Sequence, residues 1–354
     1  MTDASRRPDP IPLTVLTGFL GAGKTTLLNR LLRDPALADT VVIVNEFGEI
    51  GLDHLLLETV DEDMVLIGAG CLCCTVRGEL VAALEDLLRR RDNGRIPPFR
   101  RVVIETTGLA DPAPILFGVL HHPYLSLRYV LQGVVTLVDA VNGAGTLDAH
   151  PEAVRQVAMA DRIVLTKADL PDADAAGLAA RLARLNPGAP VVPVAETGAG
   201  LVLGGLYDLD GRIADVRAWL AEEAVAEAEG GRHEGIEAFA LTSDAPVPRA
   251  AFEMFMDLLR GSHGPRILRL KGLVGLADDP DRPLVVHAVQ HVLHLPAVLP
   301  RWPDADRRSR LVLIVRDLDP AIVHRLWDAF LGRLAIDGPD RASLTDNPLA
   351  IPGG

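Results

Sequence analysis

From residue 11 to about residue 194, short apolar runs alternate with longer stretches of helical periodicity. The runs are IPLTVLTG, VVIVNEFG, MVLIGAG, RVVIETTG, VVTLVDA, DRIVLTKADL and PVVPVAE. Several are apolar at consecutive positions rather than at every second one, as strands buried on both faces require. Strands alternating with helices predict an α/β fold with a mostly parallel sheet flanked by helices. Each run ends in a cluster of Gly, Asp, Thr or Glu, and ligands of open α/β sheets gather beyond the carboxyl ends of the strands, so chemistry is expected there. The pattern changes after residues 212–229, RIADVRAWLAEEAVAEAE, which read as a helix running into an acidic stretch closed by Gly230 and Gly231. Beyond it come EAFALTSDAPV, AAFEMFMDLLRG, RILRLKGLVGLAD, PLVVHAVQHVLHL, SRLVLIVRDLD and PAIVHRLWDAFL, which suggest a smaller α+β domain with a largely antiparallel sheet. The expected organisation is a nucleotide-binding domain over 11–210, a helix and acidic linker over 211–234, a second domain over 235–332 and a loose tail over 333–354.

The chain has 354 residues, enough for two cores, and its 35 Lys and Arg against 48 Asp and Glu leave a net charge of −13. Such a surface repels a phosphate backbone or an anionic bilayer, which argues against nucleic acid and membrane as partners. No apolar run reaches the ~18 residues of a membrane span and no signal-peptide core follows Met1, so a cytoplasmic location is expected.

Gly18-Phe19-Leu20-Gly21-Ala22-Gly23-Lys24-Thr25 lies between a predicted strand and a predicted helix, TTLLNRLLRD, the context of a P-loop. Glycines let consecutive backbone N–H groups curl around phosphates, the helix start adds positive potential, Lys24 meets the β and γ oxygens, and the Thr25 hydroxyl suits Mg²⁺. The bland alternative is a Gly-rich turn carrying a chance lysine. Thr166-Lys167-Ala168-Asp169 closes a later strand. An aspartate there can accept from N1–H and N2 of guanine while the lysine stem covers the ring, so GTP is favoured, with ATP left open and a surface Lys-Ala-Asp turn as the plain alternative. Glu105-Thr106-Thr107-Gly108 offers an acid for Mg²⁺ through water and a glycine able to sense a γ-phosphate. Asn45-Glu46-Phe47-Gly48-Glu49 suits a mobile switch, with Glu46 or Glu49 as a metal ligand or as an ordinary solvated acid. Asp139 equally suits a cap for the segment after it.

All three cysteines fall at Cys71, Cys73 and Cys74, after the predicted strand MVLIGAG and before a predicted helix. Thiolates at this spacing select a soft or borderline ion such as Zn²⁺ or Cu(I), and a closed structural zinc site would need a fourth protein ligand that no further Cys pair supplies. Three thiolates with an exchangeable fourth position suit a carrier. Buried, inert cysteines and a Cys71/Cys74 redox pair are the competing readings. His287, His291 and His294 cluster in PLVVHAVQHVLHL, where His287 and His291 share a face of either a strand or a helix, and read as structural. His121 and His122 mark a helix exit.

Taken in order, GFLGAGKTT, VNEFGEIGLDHLLL, GCLCCTVRGEL, ETTGLADP, VVTLVDA and ADRIVLTKADL resemble the CobW family of P-loop GTPases, with HypB- and UreG-type metal-handling relatives. ILRLKGLVGL, HAVQHVLHLP and RWPDADRRSRLVLIVRDL resemble that family's C-terminal domain, so the likeness spans roughly residues 11 to 331. The resemblance implies a GTP-hydrolysing metallochaperone that needs Mg²⁺ and passes zinc, or cobalt as Co²⁺, to a client metalloenzyme, with a homodimer left open. By position it assigns Gly18, Gly21, Ala22, Gly23, Lys24, Thr25 and Thr26 to the phosphates and Mg²⁺, and Thr166, Lys167 and Asp169 to the base. Lys24, Thr25 and Glu105 fall to hydrolysis, and Cys71, Cys73, Cys74 and Glu46 to the carried metal. Many relatives place a His-rich segment between the domains, whereas this linker is acidic, with His233 alone. Two other readings remain: a P-loop ATPase or kinase with a structural thiolate site, and a GTP-regulated thiol or zinc-sensing interaction module.

Overall fold

The computed structural model describes residues 9–45, 57–59, 65–69, 76–203, 235–289, 292–293 and 297–333. Its first sheet contains β1 (Ile11–Gly18), β2 (Thr40–Asn45), β3 (Leu57–Thr59), β4 (Val65–Ala69), β5 (Arg101–Glu105), β6 (Tyr129–Asp139), β7 (Arg162–Thr166) and β8 (Val191–Pro193). The order is β3-β4-β2-β5-β1-β6-β7-β8. Every pairing is parallel except that of β3 with β4, a three-residue antiparallel edge that the hydrophobic pattern did not foretell. Isoleucine and valine at consecutive positions feed both faces, as in β5, where Val102 and Ile104 join one core and Val103 the other.

One face is covered by α1 (Lys24–Leu31) and the short α8 (Gly200–Leu203), through Leu27, Leu28, Leu31 and Leu201 packed on Leu16, Val42 and Val164. The opposite face carries α2 (Val76–Asp92), α3 (Ala113–His121), α4 (Leu125–Arg128), α5 (Gly143–Ala149), α6 (Pro151–Ala158) and α7 (Ala175–Leu185). Right-handed crossovers between parallel strands place helices on both sides in this way. Among the described residues, no helix is long and apolar enough to cross a membrane.

The second sheet is antiparallel, ordered β12 (Val292–Leu293), β11 (Asp279–Val289), β10 (Ile267–Leu276), β14 (Ser309–Arg316) and β9 (Ile236–Ser243), with β13 (Ala297–Val298) on β11. Strand periodicity sends Leu311, Leu313 and Val315 toward α9 (Arg249–His263) and α10 (Pro320–Phe330), where Phe255 and Trp327 meet edge to face at 4.9 Å. The other face packs on the first domain. Ile236, Leu268 and Ile314 join a core with Val154, Val157 and Ala158 of α6 and with Leu178, Leu182 and Leu185 of α7. The run PLVVHAV therefore resolves as part of strand β11, and His287 pairs with Lys271 of β10. The acidic linker expected over 211–234 lies outside the described residues, as do His233, His291 and His294.

Candidate nucleotide site

Gly18 ends β1 with φ +140°, and a Cβ there would stand 2.5 Å from the carbonyl oxygen of Leu137 on β6. Only glycine lets the chain leave the strand so close to its neighbour. Gly21 and Gly23 also have positive φ, at +74° and +90°, so the backbone folds back over itself before α1 begins. Lys24 starts the helix, and its ammonium donates to the carbonyls of Gly18 at 2.8 Å and Phe19 at 3.1 Å, closing the loop over its own chain. Burial lowers the lysine's pKa, against which the nearby Glu105 carboxylate raises it. The Thr25 hydroxyl donates to Glu105 Oε1 at 2.6 Å. Glu105, 4% exposed, ends β5, so the loop glycines, lysine, hydroxyl and acid converge at the carboxyl edge of the central strands. Ala22 is buried, while the Thr26 side chain is exposed.

On the neighbouring strand, Thr166 is buried, and its hydroxyl donates to the carbonyl of Ala22 at 2.9 Å and lies 3.2 Å from that of Val138. The end of β7 is thereby tied to the glycine loop. Lys167, at φ +57°, donates to Asp139 Oδ2 at 2.6 Å. Asp139 also accepts from the Val141 N–H at 2.8 Å, so it both caps the following turn and steadies the lysine. Burial alone would raise its pKa, but Lys167, Asn142 and the two backbone N–H groups together hold it lower. Asp169 is exposed beside them. A cavity of about 210 Å³ opens here, between Phe19 and Leu20 of the loop, Asp139 and Asn142, Gln156 of α6, and Lys167.

Two residues in this neighbourhood went unread in the sequence. His150, at the start of α6, stacks on Phe19 with ring centroids 4.4 Å apart. Gln156 is fully buried, and its amide donates to the carbonyls of Gly108 at 3.1 Å and Ala110 at 3.0 Å. A signal for Gln156 existed: in PEAVRQVA it occupies the buried helix face with Ala153 and Val157, where an apolar residue is ordinary. Gly108 has no room for a side chain, since a Cβ would stand 2.5 Å from the Leu20 nitrogen.

Glu46, Glu49, Cys71, Cys73 and Cys74 lie outside the described residues, and among the described residues no three His, Cys, Asp or Glu side chains group to hold a metal. The strands leading into them are placed. Asn45 of β2 is opposite Ala69 of β4, and Val44 is opposite Glu105. Strands in this sheet stand ~4.8 Å apart, so the end of β4 is three steps, about 14 Å, from the end of β1.

A strand–glycine loop–Lys–Thr–helix unit at the carboxyl edge of a parallel sheet defines a P-loop nucleotide-binding protein. The sequence matches the model of the CobW/HypB/UreG nucleotide-binding domain over residues 12–193 and that of the cobalamin synthesis protein cobW C-terminal domain over 236–331, and the chain belongs to this family. It is 37% identical over 312 residues to the zinc chaperone YjiA of Escherichia coli, covering 86% of this chain and 94% of that protein. It is 31% identical over 361 residues to the zinc chaperone CobW of a Sinorhizobium species, covering 91% and 98%. The crystal structure of Zn(II)-bound YjiA GTPase from E. coli superposes with a TM-score of 0.67 at 31% identity, covering 91% of this chain and 99% of that one.

Proposed function

We propose that this protein is a cytoplasmic GTP-hydrolysing metallochaperone, which binds zinc through Cys71, Cys73 and Cys74 and yields it to a client metalloprotein under control of the nucleotide. The observation that carries the reading is the common edge. Gly18, Glu105, Asn45 and Ala69 are the carboxyl ends of four adjacent strands, β1, β5, β2 and β4, and in the sequence they lead into the glycine loop, the 106–111 loop, the Glu46 segment and the cysteine segment. Zinc chaperones among the relatives support the choice of cargo, and Co²⁺ suits the same donors.

Within this reading, Gly18, Gly21, Ala22 and Gly23 cradle the phosphates with their backbone, and Lys24 turns from the loop carbonyls to the β and γ oxygens. Thr25 and Glu105 are hard oxygen donors 2.6 Å apart, a pair that suits Mg²⁺, which would offset charge developing on the transferring phosphoryl group. Asp169 selects guanine, and Lys167, steadied by Asp139, covers the ring. Glu46 joins the thiolates or the switch that governs them.

Metal analysis of the chain purified anaerobically tests the cargo site. One zinc per chain, lost when all three cysteines become serine while the fold and GTP binding persist, is the expected result. Unchanged zinc content in that variant would remove the carrier and leave a nucleotide-regulated interaction module.

A further inference from the structure

The loop after β5 is gripped from two sides. On one side Gly108 lies against the Leu20 backbone of the phosphate loop, and the Thr106 hydroxyl donates to Thr17 at 2.7 Å. On the other side stands α6. There Gln156 donates both protons of its amide to main-chain carbonyls two residues apart, and Arg155 approaches Asp111 at 3.4 Å. The helix is itself pinned to the sheet, because the Thr136 hydroxyl on β6 donates to the Gln156 carbonyl at 2.8 Å.

The orientation of this amide has one solution. With Nε2 on two carbonyl oxygens, rotating the group by half a turn would set Oε1 against both of them, acceptor against acceptor. Oε1 is buried and accepts no hydrogen bond among the described residues. The amide is anchored through its two donor contacts. What they do is set two peptide planes. In a trans peptide the C=O and N–H point in opposite directions, so fixing the Gly108 and Ala110 carbonyls toward α6 aims the Leu109 and Asp111 N–H groups away from it.

We propose that Gln156 is a positioning residue of the GTPase reaction. It holds the 106–111 loop against the phosphate loop, in the pose from which the loop's N–H groups engage the γ-phosphate. The proposal rests on the GTPase reading above and adds a residue that acts through the 106–111 loop. Its consequence is selective: GTP, which carries the third phosphate, depends on Gln156, and GDP does not.

The variant is Gln156→Met, which keeps length and bulk and removes both donors. Five quantities are compared with the parent: kcat and KM for GTP, the affinities for a non-hydrolysable GTP analogue and for GDP, and the thermal midpoint. The expected result is a fall in kcat of about 10- to 100-fold, the scale of a misplaced reacting group, with analogue affinity reduced and GDP affinity kept within about twofold. A merely structural glutamine would lower the midpoint and weaken both nucleotides alike, and that outcome overturns the proposal, as does an unchanged kcat in a folded variant. Hydrogen exchange on the unmutated protein keeps the test open should the variant fail to fold. The 106–111 amides should exchange more slowly with the analogue than with GDP, and equal exchange overturns the proposal. A parent protein that binds no GTP at all would instead overturn the GTPase reading itself.

Discussion

Replacing Asp161 with asparagine should separate the two domains energetically. Asp161 precedes β7, is 2% exposed, and accepts the Val134 N–H at 2.8 Å. Its other oxygen faces the second domain, where the Arg269 guanidinium bonds it directly, the Lys271 ammonium lies at 3.0 Å and His287 at 3.9 Å. Arg269 also donates to the Met159 carbonyl at the end of α6. Burial would raise the Asp161 pKa, but Arg269, Lys271 and His287 outweigh it and hold the carboxyl well below the usual carboxylate range. Asparagine preserves the shape and the bond to Val134, and leaves two buried cations without their anion. Removing one partner of a buried ion pair costs about 3–5 kcal/mol. At about 2–4 °C per kcal/mol for a domain of ~150–250 residues, the first melting transition should fall by about 6–20 °C. Circular dichroism melts at pH 7 would read it, and proteolysis between the domains should quicken in parallel. Removing the stranded cations as well, Asp161→Asn with Arg269→Met and Lys271→Met, should recover most of the loss, because the bond to Val134 is kept and apolar residues can replace buried charges at little cost. A single asparagine variant within about 0.5 kcal/mol of the parent, the scatter of ordinary surface changes, would refute the assignment of the junction to this cluster.

One carboxylate shared among these cations leaves Lys271 short of compensation: burial first, and then the Arg269 charge, push its pKa down to about 8 from 10.5. Between those values the unfolded chain binds a proton that the folded chain has released, so stability should rise with pH across that window. Urea midpoints measured from pH 7 to 10.5 should show this rise in the parent and lose it in Lys271→Met. The Asp161 contribution has the opposite window. It is complete above about pH 4, the unfolded carboxylate value, and is lost as pH falls toward the depressed folded value, which acid titration of the parent against Asp161→Asn should show. Asp169→Asn should weaken GTP by about 10- to 100-fold, the worth of charge-assisted hydrogen bonds, and leave ATP unchanged in fluorescent-nucleotide competition. Undiminished GTP affinity would place the base elsewhere and favour an ATPase.

How much was legible in the sequence follows from how local each feature is. The phosphate loop is local: positive φ at Gly18, Gly21 and Gly23 demands glycine within six consecutive residues, and lysine and threonine follow at once. Parallel strands buried on both faces announce themselves by unbroken apolar runs, and β1, β2, β4, β5, β6, β7 and β8 all fall on the runs expected for them. The edge strand β3 has three residues, too few to display a period. PLVVHAV fits both a strand and a helix when read alone, and pairing with β10 decides it. The junction was half visible. Arg269 and Lys271 alternate inside the wholly buried strand ILRLKGLVGL, a pattern that requires a buried acid, but the acid is 108 residues away from Arg269. Gln156 reaches Gly108 across 48 residues, and a lone glutamine in a helix carries no partner in its own spacing.

Whether the nucleotide governs the grip on the metal is read from zinc affinity, measured by chelator competition with a non-hydrolysable GTP analogue and again with GDP. The two affinities should differ by about 5- to 150-fold, the range of common coupling energies, and zinc should change analogue affinity relative to GDP by the same factor. Equal zinc affinities in the two nucleotide states would contradict nucleotide control of the metal.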